Sequence, residues 1–285
     1  MRSTRLNPRA TVGDVTKTNI GLGSADNTSD VNKPVSTAQH AANVVRELCA
    51  RMTVRPTRAR RTLMTSLITS LITAGVWDKL DGLYLFAAHD VQAAKLNWVG
   101  CLQDVTAVNA PVFQIDRGFT GNGTSSYLDT GMLPSALERF ASADASMGVY
   151  NRTNGGSTYD MSAGGGAYLT ANNGSSQTVL RANGGTLSGN SVIAIANGGA
   201  LGLFSWSRDA SNVAVYKGAT LLTSAAVQTV AVSTADRVMF MRDGAGSNWS
   251  NHQLAAGFIG QGLSATETAA LNTALLAYLT PIGAN

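Results

Sequence analysis

Glutamate occurs three times in the 285 residues, at positions 47, 138 and 267, and histidine three times, at 40, 89 and 252. These counts limit the acid–base chemistry open to the chain. Hydrolysis of a glycosidic bond takes two carboxyl groups facing one scissile bond, about 5 to 9.5 Å apart. Glu47 and Glu267 fall in predicted helices, so the usual alternation of acids along a strand is missing. Asp116 and Asp129 flank the loop "RGFTGNGTSSY" (117–127), where a sheet could bring them together, but capping a turn or holding a calcium ion suits them better than catalysis. His89-Asp90 has two elements of a charge relay. No Gly-x-Ser-x-Gly elbow accompanies it, and a hydrogen bond at a helix start explains the pair. No His/Cys/Asp cluster has zinc spacing. "GNGTSS" lacks the Lys-Ser/Thr of a phosphate loop, and Asp26, Thr28 and Asp30 imitate a calcium loop without its glycine and distal Glu. The expectation is a protein that is no enzyme and carries no cofactor or metal.

The remaining signal is aromatic. Tyr168, Trp206, Tyr216 and Trp249 are spread among Asn- and Gly-rich loops. A ring facing solvent beside amide groups can hold a sugar, stacking on its CH face while the amides bond its hydroxyls. Trp206, inside "LGLFSW", is expected in the core. Trp249, among Asn248, Ser250 and Asn251, is expected at the surface. The candidate glycan-binding residues are Trp249, Asn248, Asn251 and Tyr168.

The elements that would position them fall in two textures. Residues 1 to about 40 show no sustained period and read as extended or looped chain. "TAQHAANVVRELCARM" (37–52) places Ala41, Val44, Val45, Leu48 and Met52 at helical spacing behind a Thr37 cap, and Pro56 interrupts. In "RRTLMTSLITSLITAG" (60–75), Leu63, Leu67, Leu71 and Met64, Ile68, Ile72 each recur every four residues up to Gly75. That stripe packs on the following domain or forms a trimeric helical seam. "LDGLYLFAA" (80–88) is a buried strand, and "DVQAAKLNW" (90–98) a short helix capped by Asp90. After Gly100 come short strands near 146–151, 157–162, 166–171, 177–183, 191–196, 200–207, 212–216, 220–223, 237–242 and 254–260, separated by Gly/Asn turns. That rhythm predicts an antiparallel sandwich or barrel. Ser264 with Glu267 three residues on predicts a capping box, opening a helix with Leu271, Leu275 and Leu279 that Pro281 stops.

Composition agrees with a turn-rich β protein, with 30 glycines and short polar side chains. The net +4 hides an asymmetry: residues 1–61 carry 11 Lys/Arg against four acids, and the remainder carry 10 against 13. The run Arg51, Arg55, Arg58, Arg60, Arg61 reads as a solvated linker. Binding to nucleic acid or to an acidic protein surface is the alternative, disfavoured because no aromatic side chains interleave with the arginines. Cys49 and Cys101 make no disulfide framework and are expected reduced. The start has no apolar stretch of a signal peptide, and no window spans a bilayer, so synthesis in a cytoplasm without membrane insertion is expected.

Two stretches resemble known families. "VTKTNIGLGSADNTSDVNKPVSTAQ" (15–39) is similar to the attachment-proximal repeat of bacteriophage tail fibres, roughly V-T-K-x-x-V-G-L-x-N-V-x-N-T-x-D-x-x-K-P-x-S. Val15, Thr16, Lys17, Gly21, Leu22, Asn27, Thr28, Asp30, Lys33, Pro34 and Ser36 match, and Ala25 stands where Val is usual. "FTGNGTSSYLDTG" (119–131) and "IGQGLSATETAALNTALLAYL" (259–279) resemble an early strand pair and the closing helix of concanavalin A-like (laminin-G-like) sandwich domains of phage structural proteins. The resemblance implies a mainly β, jelly-roll sandwich at 62–285, preceded by a basic attachment arm with a helical linker at 1–61. It implies a virion tail protein: a short tail fibre or spike, forming a homotrimer, docked to other tail proteins through Gly21, Leu22, Asn27, Asp30, Lys33 and Pro34. The sandwich would then contact a host surface polysaccharide or receptor. The alternative is a capsid or tail decoration protein with no receptor binding.

Overall fold

The computed structural model describes residues 35–100, 102–156, 159–183 and 193–285. The chain divides into two compact units, Met1–Ser36 and Thr37–Asn285. The attachment residues Gly21, Leu22, Asn27, Asp30, Lys33 and Pro34, and Cys101, lie outside the described residues.

The second unit is an antiparallel β-sandwich with helices at both ends of its sequence. One sheet runs in the order β13 (Thr220–Ala226), β12 (Asn212–Lys217), β11 (Gly202–Arg208), β6 (Ala145–Asn151), β15 (Gln253–Gly260), β4 (Gly118–Thr120), β3 (Val112–Gln114). β1 (Leu80–Leu85) also joins it, beside β15. The other sheet runs β10 (Ile193–Ala196), β9 (Gln177–Ala182), β8 (Ala167–Thr170), β7 (Met161–Ala163), β14 (Val238–Phe240), β5 (Tyr127–Asp129), β2 (Thr106–Val108).

Side chains that alternate along each strand separate the inner from the outer face. In the seven-stranded sheet Leu180, Leu169, Met161, Phe240, Leu128 and Ala107 are register partners in one row. Phe240 meets Tyr84 and Phe86 of the β1 segment edge-on, at 5.5 and 4.9 Å between ring centroids, so this row faces the core. Trp206 reaches the same space and donates its Nε1–H to the Tyr168 carbonyl at 3.2 Å, in the core as expected.

In the eight-stranded sheet β6 and β15 are buried along their whole length, so both faces are covered. Helices supply the second cover: α1 (Thr37–Arg51), α2 (Arg58–Thr73) and α3 (Ala265–Leu279). Trp98 packs edge-on against Tyr278 of α3. Ser207 of β11 bonds the Leu263 carbonyl just before α3 at 2.7 Å, and Arg117 and Arg152 bond the carbonyls of Ile282 and Ala284 just after it. The apolar stripe of α2, with Met64, Leu67, Ile68 and Leu71 buried, belongs to the same hydrophobic cluster. Packing on the domain, one of its two expected uses, is therefore realised.

Local signals hold in detail. The Ser264–Glu267 capping box is closed on both sides, a pairing that stabilises a helix start by about 1 kcal/mol. Asp90 accepts from the Gln92 and Ala93 amides, although the turn it caps is a single 3₁₀ turn at Ala93–Lys95. Thr37 is the first residue of α1 itself, and α2 starts two residues before the periodic stretch, capped by Thr57.

Two expectations are corrected. The arginine run 51–61, read as a solvated linker, is in part anchored on the sandwich unit. Arg51 bonds Asp104 and the carbonyls of Asn97 and Gly100, and Arg60 bonds Asp116 and the Tyr278 hydroxyl. The strands around "GNGTSS" do not pair with each other, since β4 joins β3 and β15 while β5 joins β2 and β14 of the opposite sheet. The loop between them crosses the sandwich. Asn122 Oδ1 holds it by accepting the amides of Thr124, Ser125 and Ser126, which leaves those donors occupied and offers no cradle for a phosphate.

Candidate functional site

The outer row of the seven-stranded sheet is polar except at Met239, whereas the inner row is apolar throughout. Arg181, Tyr168, Ser162, Met239, Asp129 and Thr106 are register partners across it. Three half-buried rings, Tyr127, Tyr159 and Trp249, are associated with this face. Tyr127 precedes Asp129 by two residues and so points the same way. Tyr159 lies 4.5 Å from Tyr168 between ring centroids, at a tilt of 55°. Trp249 pairs across an isolated antiparallel bridge with Arg242, whose guanidinium sits 4.5 Å over the Tyr127 ring.

The surroundings fix these groups. Asp243 accepts from the Ser247 amide and hydroxyl and from the Asn248 amide and side chain, closing the loop between Arg242 and Trp249. Burial works to raise the Asp243 carboxyl, but those hydrogen bonds outweigh it and hold it below its usual range. Gly246 in this loop takes φ +73°, and a Cβ there would sit 2.1 Å from Arg242 Nη2, so the guanidinium lies between loop backbone and ring. At the far side a recess of about 280 Å³ opens between Gly165, Gly166, Val230 and Arg181. Arg181 donates to the Gly165 carbonyl at 2.8 Å, and its Nε is buried with no partner among the described residues.

Beneath the rings lies a charged hub. Asp160, Ser250 and His252 are each 0 % exposed. Asp160 Oδ1 accepts from Ser250 Oγ at 2.6 Å and faces His252 Nδ1 at 2.9 Å, while Oδ2 accepts the Ala171 amide at 2.7 Å. His252 Nε2 lies 2.8 Å from the Gly155 carbonyl, which can only accept. Both ring nitrogens therefore donate, as an imidazolium does. Burial opposes the charge, but the Asp160 carboxylate and the hydrogen bonds outweigh it and raise the His252 pKa. These are the residue types of a nucleophilic triad in an arrangement that cannot work as one. The hydroxyl sits on the carboxylate instead of the imidazole, and the three side chains are buried. What the hub does is hold Tyr159, the Trp249 segment and the Gly155 loop to one another.

Of the sequence-predicted residues, Trp249 and Tyr168 come to this face. Tyr168 is only 7 % exposed, so it backs Tyr159 instead of presenting its own ring. Asn248 spends its amide nitrogen on Asp243 and Ser247. Asn251 is exposed at the sandwich end, beside Gly123. Tyr127, Tyr159, Arg181 and Arg242 were missed. The polar–apolar–polar order Tyr127-Leu128-Asp129 was the available signal for an outward Tyr127. The carboxylates considered for catalysis lie in opposite sheets: Asp116, just before β4, pairs with Arg60, and Asp129 pairs with Arg237 at 3.0 Å. His89 bonds the Val54 carbonyl at 2.8 Å. Among the described residues no three His, Cys, Asp or Glu side chains gather as a metal ion would need, and no helix is long and apolar enough to cross a membrane.

No protein-family model matches the chain, and no curated protein matches it. Solved structures similar to it include a Trypanosoma rangeli sialidase mutant displaying trans-sialidase activity, at TM-score 0.47 and 11% identity, covering 76% of this chain. The matched part is 39% of the sialidase's own length. Domain 4 of AbnA, an extracellular arabinanase of Geobacillus stearothermophilus solved with arabinotriose, is similar at TM-score 0.42 and 14% identity over 68% of this chain and 98% of that domain. The CBM40 of Ruminococcus gnavus IT-sialidase is similar at TM-score 0.41 and 12% identity over 54% of this chain and 96% of that module. At these scores the likeness bears on neither ligand nor activity.

Proposed function

We propose that this chain is a bacteriophage virion protein, a short tail fibre or spike, whose sandwich binds a glycan on the host surface. The observation that carries the glycan reading is the outer face of the seven-stranded sheet. Half-buried Tyr127, Tyr159 and Trp249 offer apolar ring surface, and Arg242 and Arg181 bring fixed hydrogen-bond donors beside it. A sugar has the matching surface: CH faces for the rings and hydroxyls for the donors. The virion reading rests on the tail-fibre-like stretch 15–39, whose Gly21, Leu22, Asn27, Asp30, Lys33 and Pro34 would dock to a tail protein, with a homotrimer as the working assembly. In this reading the protein is made in the host cytoplasm and resides in the virion tail, without an enzymatic step.

The test of the glycan reading is binding of the full chain to a glycan array of bacterial surface polysaccharides. Tyr159→Ala and Trp249→Ala are each expected to weaken binding about tenfold, the loss of one ring contact of ~1.5 kcal/mol. A chain that binds no glycan and no host cell, yet is found in purified particles, would be a decoration protein. Absence from particles, measured by mass spectrometry of purified virions, would end the virion reading.

A further inference from the structure

A second surface lies on the helices and does not depend on the glycan reading. Between α1 and α2 runs a groove of about 490 Å³, with Val45, Cys49 and Pro56 along it and Arg46, Arg55 and Arg61 lining it. The two helices and their connection, residues 37–73, carry six arginines against the single acid Glu47. Arg51 and Arg60 are taken by Asp104 and Asp116. Arg46, Arg55, Arg58 and Arg61 are exposed and meet no carboxylate among the described residues. Arg61 donates to the Pro56 carbonyl at 2.7 Å, which pins it at the bend. The Cys49 thiol is pushed up by burial and pulled down by Arg61 and Arg55, so both guanidinium groups act on the groove floor.

Uncompensated like charges around a small space repel one another, and a ligand that brings carboxylates relieves that repulsion. The floor sets a second requirement. Ala42 and Ala50 are exposed and Cys49 half-buried, with Val45 and Pro56 beneath them, a shallow apolar strip that rewards an apolar side chain. A phosphate backbone has nothing to place there, and no aromatic side chain lines the groove to take a base. We propose that the α1–α2 groove docks a segment of a partner protein that carries Asp or Glu beside one or two aliphatic side chains.

The experiment selects a random peptide library on the full chain, with the Arg46→Glu/Arg55→Glu/Arg61→Glu variant as counter-target. Enriched peptides are expected to combine acids with Leu, Ile or Val, and to bind the variant at least about tenfold more weakly. On the unaltered chain, a bound peptide is expected to slow alkylation of Cys49, located by peptide mapping, which places the contact without any variant. Glycan binding is expected to be unchanged in the variant, so the two readings fail separately. The proposal is overturned by no enrichment, by enriched peptides lacking acids or aliphatic residues, or by Cys49 alkylation at an unchanged rate. Tighter binding of a DNA or RNA oligonucleotide to the same arginines would also overturn it and assign the groove to nucleic acid.

Discussion

His252 shows how one buried residue ties stability to pH. Its charged form is favoured in the fold, so its folded pKa lies above the ~6.5 of an unfolded chain. The stability it contributes is complete below about pH 6.5 and is lost as pH rises through the folded value. Thermal melts across that window are expected to show a falling Tm toward alkaline pH, and His252→Gln is expected to remove this component. Asp160→Asn leaves a buried imidazolium without its counter-charge and is expected to cost about 3–5 kcal/mol by denaturant titration. If instead the melts of the unaltered chain are flat between pH 6 and 9, the imidazolium assignment fails. None of this pairing is legible in the sequence. Asp160 and His252 are 92 positions apart, and their meeting depends on how two sheets stack.

At the scale of elements, β15 is the strand that most constrains its neighbours. It pairs with β6 on one side and with β1 and β4 on the other, and every residue in it is buried. Gly257 in this strand faces Phe240 of the other sheet, and a Cβ there would stand 2.1 Å from the ring. Gly257→Ala is expected to destabilise the fold by about 1–3 kcal/mol through overpacking, read as a lower denaturant midpoint. Helices α1, α2 and α3, the β1 strand and most later strands were readable from periodicity, because one buried face imposes its spacing on the residues. The short strands β2 and β3 were not, since three residues carry too little alternation to register. The crossing of "GNGTSS" between sheets was misread for a related reason: a Gly/Asn turn looks the same whether its flanking strands pair or part.

For the whole unit, the helices are a lid on the eight-stranded sheet, and the boundary of the fold follows from that. A chain begun at residue 37 is expected to keep its cooperative melt. A chain begun at residue 62 lacks α1 and Arg60, exposes the apolar partners of Val45 and Leu48, and leaves the buried Tyr278 hydroxyl without its Arg60 donor. It is expected to be poorly soluble or to melt many degrees lower, by scanning calorimetry and gel filtration. Equal melts for the two chains would show that the helices are dispensable.

The sequence by itself determined the class of fold, the three helices and their buried faces, the capping box at Ser264 and the core position of Trp206. Each is a local pattern of apolar spacing or turn chemistry, readable along a few neighbouring residues. Only the tertiary structure decided which rings share a face. Tyr127, Tyr159 and Trp249 come from three separate segments, brought together by strand order and by a buried Asp160–His252 hub with no local signature. It also decided that the arginines of 37–61 divide into anchors and a cluster that meets no carboxylate among the described residues, because a guanidinium's role depends on whether a carboxylate from a distant segment arrives beside it.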